Sequence, residues 1–264
     1  MLYLGYKQID KGNIMKLKFS RDKNNSKLAR IKEWSDIENP RVYSFSLLSG
    51  FSCPKALDCQ TYAIKDKVTG KRTILDGKYA KYRCFSAQQE AQYTSVYNQR
   101  KHNFDLLRKQ DNYMDMAQLI LDSLPMDADI IRVHVAGDFF SSDYMLAWYL
   151  IAQINPNIKF YAYTKSIGYL VENANSKPKN FRIVASYGSK EDALIGEHEL
   201  DYAKVIYHPS ERGNLPIDKN EYHAINEAGS FALLLHGTQK ADSEGSKAIK
   251  RMNKEGIKYS YSKK

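Results

Sequence analysis

The three cysteines of this chain are its strongest candidates for cofactor chemistry. Cys53 and Cys59 follow an apolar run at residues 42–48, and Cys84 lies further along, in Tyr-Arg-Cys-Phe-Ser. Thiolates are soft ligands that select zinc, copper(I) or iron–sulfur clusters. Their spacing does not match the CxxC pairs of structural zinc sites. Three thiolates without a fourth suit a 4Fe–4S cluster with one open iron, or a zinc ion completed by histidine. The alternative is three unconnected buried cysteines, since free cysteine packs as a small hydrophobe.

Further polar groups follow other apolar runs of the sequence, at the point where each run ends. If these runs are parallel strands, their carboxyl ends meet at one edge of a sheet, where α/β proteins bind ligands. We expect Asp138 and Lys165 to be catalytic, with Lys165 binding an anionic group and Asp138 acting as a base or holding a hydroxyl or amine. The expected substrate-binding residues are Gly137, Thr164, Ser186, His236 and Gln239.

Each of these residues also has a plainer interpretation. Gly137 and Asp138 could be a turn residue and a helix cap. Thr164 and Lys165 could be ordinary loop residues. His134 lies inside an apolar run, which also fits a hydrogen-bonded core histidine. His208 is a weaker candidate, because the Pro-Ser that follows it already explains a turn there.

The elements that would position these groups alternate along the chain. Strand-like runs occur at residues 42–48, 130–136, 158–163, 181–185, 203–207 and 231–235. Helical stretches are predicted at 87–109, 112–123, 141–154 and 167–174, the third capped by Ser141 or Ser142. This alternation predicts an α/β fold with a parallel sheet or a partial (β/α) barrel. A short edge strand is expected at 14–19 and a polar hairpin around 67–71.

Composition limits the class of protein. A chain of 264 residues with 43% hydrophobic content fits one large globular domain. We expect a basic extension at 1–40, a barrel-like domain at 41–238 and a basic tail at 239–264. No apolar run approaches the roughly 20 residues that span a bilayer. The amino terminus shows no secretion signal, so a cytoplasmic protein with reduced thiols and no membrane partner is expected.

The net charge of +10 is concentrated at the two ends of the chain. Residues 1–35 hold nine Lys or Arg against three Asp or Glu, and residues 239–264 hold eight against three. Basic termini predict attraction to nucleic acid or another polyanion, or they serve solubility alone. Neither end contains a recognisable DNA-binding module.

Several motifs resemble one known family. These are Arg-Val-His-Val-Ala-Gly-Asp-Phe-Phe-Ser at 132–141, Phe-Tyr-Ala-Tyr-Thr-Lys at 160–165, Arg-Ile-Val-Ala-Ser-Tyr-Gly at 182–188 and Leu-Leu-His-Gly-Thr-Gln at 234–239. Together with the cysteine segments, they resemble the phage gene-product-88 family over about residues 43–247. The resemblance implies a phage or mobile-element protein of the host cytoplasm.

That family is in turn similar in outline to the radical S-adenosylmethionine barrels, which carry a cluster on the loop after their first strand. The resemblance therefore implies an iron–sulfur cluster on Cys53, Cys59 and Cys84. This chain lacks the close CxxxCxxC motif of those barrels, which argues against S-adenosylmethionine binding and radical chemistry. Three hypotheses stay open: a cluster-binding protein or enzyme, a nucleic-acid-associated phage protein, and a non-catalytic host-interaction protein.

Overall fold

The apolar runs of the sequence form the strands of one sheet, which buries side chains on both of its faces. The computed structural model describes residues 15–21, 28–226 and 229–257. The strands are β1 (Ser20–Arg21), β2 (Val42–Phe45), β3 (Thr61–Lys65), β4 (Arg72–Asp76), β5 (Ile130–Val133), β6 (Lys159–Thr164), β7 (Phe181–Ser186), β8 (Tyr202–Ile206) and β9 (Phe231–Leu234). The helices are α1 (Phe85–Gln92), α2 (Thr94–Leu107), α3 (Tyr113–Leu121), α4 (Ser142–Ile154), α5 (Ile167–Glu172), α6 (Ala193–Glu197), α7 (Tyr222–Ile225) and α8 (Glu244–Lys254), with 3-10 helices at Leu28–Glu33, Ala174–Ser176 and Pro209–Glu211.

The main sheet has seven strands in the order β1-β2-β5-β6-β7-β8-β9. β1 pairs antiparallel with β2, and each later pair is parallel and follows chain order. The prediction of a mostly parallel α/β sheet is thereby confirmed. In the part of the chain that the structure describes, the sheet stays open rather than closing into a barrel. β3 and β4 form a separate antiparallel hairpin.

The two faces of the sheet are buried differently. On one face, Phe160 and Ala162 pack in a core with Trp148 of α4. On the other face, Tyr161 packs with Phe231 and with Leu28 of the first 3-10 helix. Alternation along β6 therefore sends successive side chains to opposite cores. The second face is covered by short elements, namely the first 3-10 helix and α7.

Helices form in all four predicted helical stretches, but one stretch is broken in two, and α6, α7 and α8 were not predicted. Ser141 caps α4, as one of the two predicted caps, and accepts a hydrogen bond from Tyr144 N. The single helix predicted at 87–109 is wrong, because Tyr93 adopts an extended conformation and separates α1 from α2. No glycine or proline marks this break in the sequence. Within the described residues, no helix combines the length and apolar character needed to cross a membrane.

The amino-terminal region contributes to the main body. The edge strand forms at Ser20–Arg21, just after the predicted 14–19, and Ile31 of the 3-10 helix is fully buried. Residues 1–14 and 22–27 of the expected basic extension, and 258–264 of the expected basic tail, lie outside the described residues. Nucleic-acid binding by these termini stays a prediction.

Candidate functional site

A cavity of about 190 Å³ lies at the carboxyl ends of the parallel strands. Its wall includes all three cysteines of the chain, which come from the loop after β2 and from the segment before α1. The structure also places on this wall most of the residues predicted to bind or transform a substrate: Gly137, Asp138, Thr164, Lys165, Ser186 and His236. Of the predicted residues, Gln239 is not part of the lining.

The loop carrying Cys53 and Cys59 is anchored to the segment that follows β7. The backbone N–H groups of Leu57 and Asp58 both donate to the carbonyl of Gly188, each at 3.0 Å. Gly188 has a φ of +87°, and a Cβ there would lie 2.8 Å from Cβ of Asp58. The close approach therefore requires glycine. Since β2 and β7 are not neighbours, this anchor fixes the cysteine loop across the strand ends.

The segment carrying Cys84 is anchored to the end of β9. Arg83 N donates to Oε1 of Gln239 at 2.7 Å, and Nε2 of Gln239 donates to the carbonyl of Arg83 at 3.2 Å. Thr238 N donates to Oε1 of Gln88 at 2.7 Å. Gln239 therefore supports the backbone beside Cys84. The two anchored segments place the three cysteines on the wall of the same cavity.

The three thiols have raised pKa values. Burial raises the pKa of Cys53 well above its ordinary value, and the charge of Asp138 adds to this effect. Burial raises the pKa of Cys59 to about 12 and also raises that of Cys84. All three are free, half-buried cysteines, so they are protonated thiols at neutral pH. Among the described residues, no group of three or more His, Cys, Asp or Glu side chains is arranged to hold a metal ion.

Asp138 is a buried carboxylate on the cavity wall, only 4% exposed. It accepts hydrogen bonds from Oγ1 of Thr164 at 2.6 Å, from Lys165 N at 2.8 Å and from Phe139 N at 2.8 Å. Burial raises its pKa to about 6, against the opposing effect of these hydrogen bonds. Because Ser141 caps α4, Asp138 does not serve as the helix cap. It is placed to exchange a proton near neutral pH.

Lys165 is fixed by the neighbouring strand. Its ammonium donates to Oγ of Ser186 at 2.9 Å and to the carbonyls of Ser186 and Tyr187. An ammonium has three N–H groups, so these three contacts occupy all of them. Lys165 therefore orients the Ser186 hydroxyl within the cavity wall.

Two histidines on the cavity wall have different surroundings. His134 is 3% exposed, and its Nε2 lies 3.0 Å from the hydroxyl of Tyr144. Burial lowers the pKa of His134 to about 3, so it is neutral, as the core-histidine interpretation predicts. The ring of His236 packs on Phe85 with centroids 4.9 Å apart, and its Nδ1 lies 3.1 Å from the carbonyl of Leu234. This distance assigns the proton to Nδ1, since a carbonyl only accepts. His208 instead bonds Ser210 in a turn and Glu255 on the surface.

The sequence interpretation missed a buried ion pair below the strand ends. Arg132 on β5 donates to Oε1 of Glu221 at 2.9 Å, and the hydroxyl of Tyr163 on β6 donates to Oε2 of the same carboxylate at 3.2 Å. Arg132 and Tyr163 both line the cavity. The sequence does contain a signal for this pair, because Arg132 lies inside the apolar run at 130–136. Strands buried on both faces rarely carry an unpaired arginine, so a buried acidic partner could have been expected.

Fold and site together define an α/β protein whose mostly parallel sheet gathers three cysteines at a cavity on its carboxyl edge. The family described as Gene product 88 matches residues 15–253, and the chain belongs to this family. It is similar to the Gene 88 protein of Mycobacterium phage L5, with 28% identity over 160 residues, covering 57% of this chain and 59% of that protein. The predicted family resemblance is confirmed. No solved structure matches the chain.

Proposed function

We propose that this protein binds an iron–sulfur cluster through Cys53, Cys59 and Cys84. The proposal rests on one observation: two segments anchored to different strands bring every cysteine of the chain to the same cavity. Cysteine thiolate is the usual protein ligand of such clusters. Three cysteines would leave one iron atom without a protein thiolate.

The donor set of the proposed site consists of three cysteine thiolates without a fourth. Such a set suits a 4Fe–4S cluster with one open iron, and the spacing of the cysteines does not match the CxxC pairs of structural zinc sites. The raised pKa values of the thiols imply that binding would release protons, since iron takes the thiolate form.

The remaining cavity groups supply the binding and proton-transfer functions of the proposed site. When bound, a cluster supplies one-electron transfer and an iron atom open to a ligand. Asp138 would accept a proton from a ligand near neutral pH, and the Ser186 hydroxyl would contact a polar group of that ligand. The strand order along the chain also fits a partial (β/α) barrel of the radical-S-adenosylmethionine outline. The host cytoplasm, where thiols stay reduced, is the compartment that suits this chemistry.

Anaerobic purification followed by reconstitution with iron and sulfide tests the proposal. We expect a coloured protein with a broad visible absorption band and with iron and acid-labile sulfide in equal amounts. Cys53→Ser, Cys59→Ser and Cys84→Ser should each lose most of the iron. Tyr82→Phe is the matched control, because it changes the cavity wall beside Cys84 without removing a sulfur.

Two results would contradict the proposal. One is an iron-free, colourless wild-type protein after reconstitution, with a folded circular dichroism spectrum. The other is one equivalent of zinc without sulfide, which would assign the thiols to a single metal ion. Cysteine variants that keep the wild-type iron content while remaining folded would likewise count against these ligands.

A further inference from the structure

The hairpin between Cys59 and Cys84 carries an unusual concentration of positive charge. Residues 61–83, here called the basic hairpin, hold seven Lys or Arg against two Asp. They comprise β3, β4, the turn between them and the segment leading to Cys84. The hairpin packs on α1 and stands apart from the main sheet. Its charge lies in the middle of the chain rather than at the termini.

The cations of the basic hairpin fall into two groups. Arg72, Lys81 and Arg83 are used internally: Arg72 donates to the carbonyl of Glu90 at 2.8 Å, while Lys81 pairs with Asp58 and Arg83 with Asp76. The second group consists of four exposed lysines that form no ion pair with the described residues: Lys65, Lys67, Lys71 and Lys78.

The acid at the tip of the hairpin forms no ion pair with these lysines in the described part of the chain. One oxygen of Asp66 accepts hydrogen bonds from Val68 N at 3.0 Å and from Thr69 N and Oγ1. These bonds lower the pKa of Asp66 and hold one of its carboxylate oxygens in the turn. The tip therefore presents lysines around a fixed backbone turn.

Exposed aromatic rings accompany the lysines. Tyr79 is 62% exposed, and Nζ of Lys78 lies 5.1 Å from its ring centroid. Phe51 is 47% exposed and packs edge-on against Tyr62 of β3, with centroids 5.0 Å apart. Lysines that follow a phosphate backbone, combined with aromatic faces that stack on bases, are the features by which proteins bind single-stranded nucleic acid.

We propose that the basic hairpin binds single-stranded nucleic acid, with its exposed lysines on phosphates and Tyr79 and Phe51 under bases. Charge complementarity selects a polyanion, and the exposed rings select bases over the carboxylates of an acidic protein. Cys59 precedes β3, and Tyr82 and Cys84 follow β4, and all three line the cavity. A single-stranded nucleic acid bound along the hairpin would therefore pass close to the cavity-lining residues at the base of the hairpin. Binding of nucleic acid to the basic hairpin would not require a cluster on the cysteines.

Fluorescence anisotropy with labelled single-stranded oligothymidylate and oligouridylate, titrated at several salt concentrations, tests this surface. We expect binding that weakens steeply with salt. The triple variant Lys65→Gln/Lys67→Gln/Lys71→Gln should lower the slope of log affinity against log salt by about two, since each phosphate contact on a single strand contributes about 0.7. Tyr79→Ala should weaken binding by on the order of tenfold while leaving the slope unchanged.

Two lysine triples serve as controls of equal charge change. Lys109→Gln/Lys159→Gln/Lys179→Gln removes three exposed lysines elsewhere, and Lys247→Gln/Lys250→Gln/Lys254→Gln removes three from α8. Both should retain most of the affinity, and circular dichroism should show every variant folded. Equal losses in all three triples, or a loss confined to the α8 triple, would overturn the assignment.

Other probes distinguish the class of partner. Polyglutamate should bind much more weakly than the oligonucleotides, and duplex DNA more weakly than the single strand. If polyglutamate bound as tightly as oligothymidylate and Tyr79→Ala left the affinity unchanged, an acidic protein would be the better partner and the proposal would be overturned. Absence of oligonucleotide binding at low salt would also overturn it.

Discussion

The ammonium of Lys165, directly after β6, lies 2.9 Å from the hydroxyl oxygen of Ser186 at the end of β7. It also donates to two backbone carbonyls of the β7 end, those of Ser186 and Tyr187. All three N–H groups of the Lys165 ammonium therefore donate hydrogen bonds to atoms of the protein. Lys165 thus holds two strand ends in place and orients a hydroxyl, and its binding of an anionic group stays a prediction.

This relationship predicts unequal effects of substitution at the two residues. Lys165→Met should lower the free energy of unfolding by roughly 2 kcal/mol, because it leaves three partly buried acceptors without a charged donor. Ser186→Ala should cost only about 1 kcal/mol, since two of the three bonds remain. Urea unfolding measures both. The exposed Lys190, which donates to the carbonyl of Pro54, is the control, and Lys190→Met should change stability little. A fully stable Lys165→Met would contradict the positioning role.

The buried ion pair between Glu90 and Arg100 contacts both segments that carry the cysteines. Glu90 of α1 accepts from the backbone N–H and the hydroxyl of Ser49, at 3.0 and 2.6 Å, just before the loop with Cys53. Arg100 of α2 donates to Glu90 and to the carbonyl of Ser86 at 3.0 Å each, just after Cys84. Burial raises the pKa of Glu90, against the charge of Arg100. The pair thus joins both cysteine segments to one helix junction.

Removing one member of this pair should be strongly destabilising. Arg100→Met leaves a fully buried carboxylate without its cation and should cost roughly 3–5 kcal/mol in urea unfolding. Glu90→Gln/Arg100→Met should cost less than the sum of the single variants, because the pair acts as one unit. Arg108→Met removes an exposed partner of Asp105 and should cost less than about 0.5 kcal/mol. Additive costs at Glu90 and Arg100 would show that the two side chains do not depend on each other.

Asp138 should make the stability of the protein depend on pH. Its pKa is raised from 3.8 to about 6, so the folded state binds more protons than the unfolded state between these values. Stability should therefore fall as the pH rises through this window, by up to on the order of 3 kcal/mol. Urea unfolding of wild type and Asp138→Asn at a series of pH values measures the difference, which should change by this amount between about pH 4 and 6.

A second variant tests the same carboxylate from its hydrogen-bond partner. The Thr164 hydroxyl lowers the pKa of Asp138 by donating to it. Thr164→Val should therefore move the window upward in pH and deepen the loss. Wild type and Asp138→Asn with parallel pH profiles would assign the pH dependence to other buried groups, such as Glu90.

The strand ends could be predicted from the sequence because they depend on local patterns. Runs such as 158–163 have the composition of buried parallel strands, and chain-order pairing places Asp138, Lys165 and Ser186 at one edge. Contacts between residues that are distant in the sequence produce no such local pattern, so they could not be predicted. The hydrogen bond between Arg83 and Gln239 joins residues 156 positions apart, and that between Arg132 and Glu221 joins residues 89 apart.

These distant contacts explain which predictions needed refinement. Gln239 follows a strand end, where the sequence predicts a ligand-binding role, and the structure shows that its amide supports the backbone beside Cys84. The helix break at Tyr93 likewise has no glycine or proline signal. The charge of the basic hairpin was obscured because acidic residues elsewhere in the middle of the chain offset it in the total.

Gly137 should be indispensable because it sets the position of Asp138. Its φ is +86°, and a Cβ there would lie 2.6 Å from Oγ of Ser52 and 2.7 Å from Cβ of Leu47. Gly137→Ala combines backbone strain with this overlap and should cost roughly 3 kcal/mol in urea unfolding. Gly196→Ala is the matched control, since Gly196 lies in α6 with open space around it and alanine should stabilise by up to about 1 kcal/mol. Because this turn leads directly into Asp138, the strain introduced by Gly137→Ala should also alter the pH dependence of stability. A Gly137→Ala protein with wild-type stability and pH profile would show that the turn can relax without moving the carboxylate.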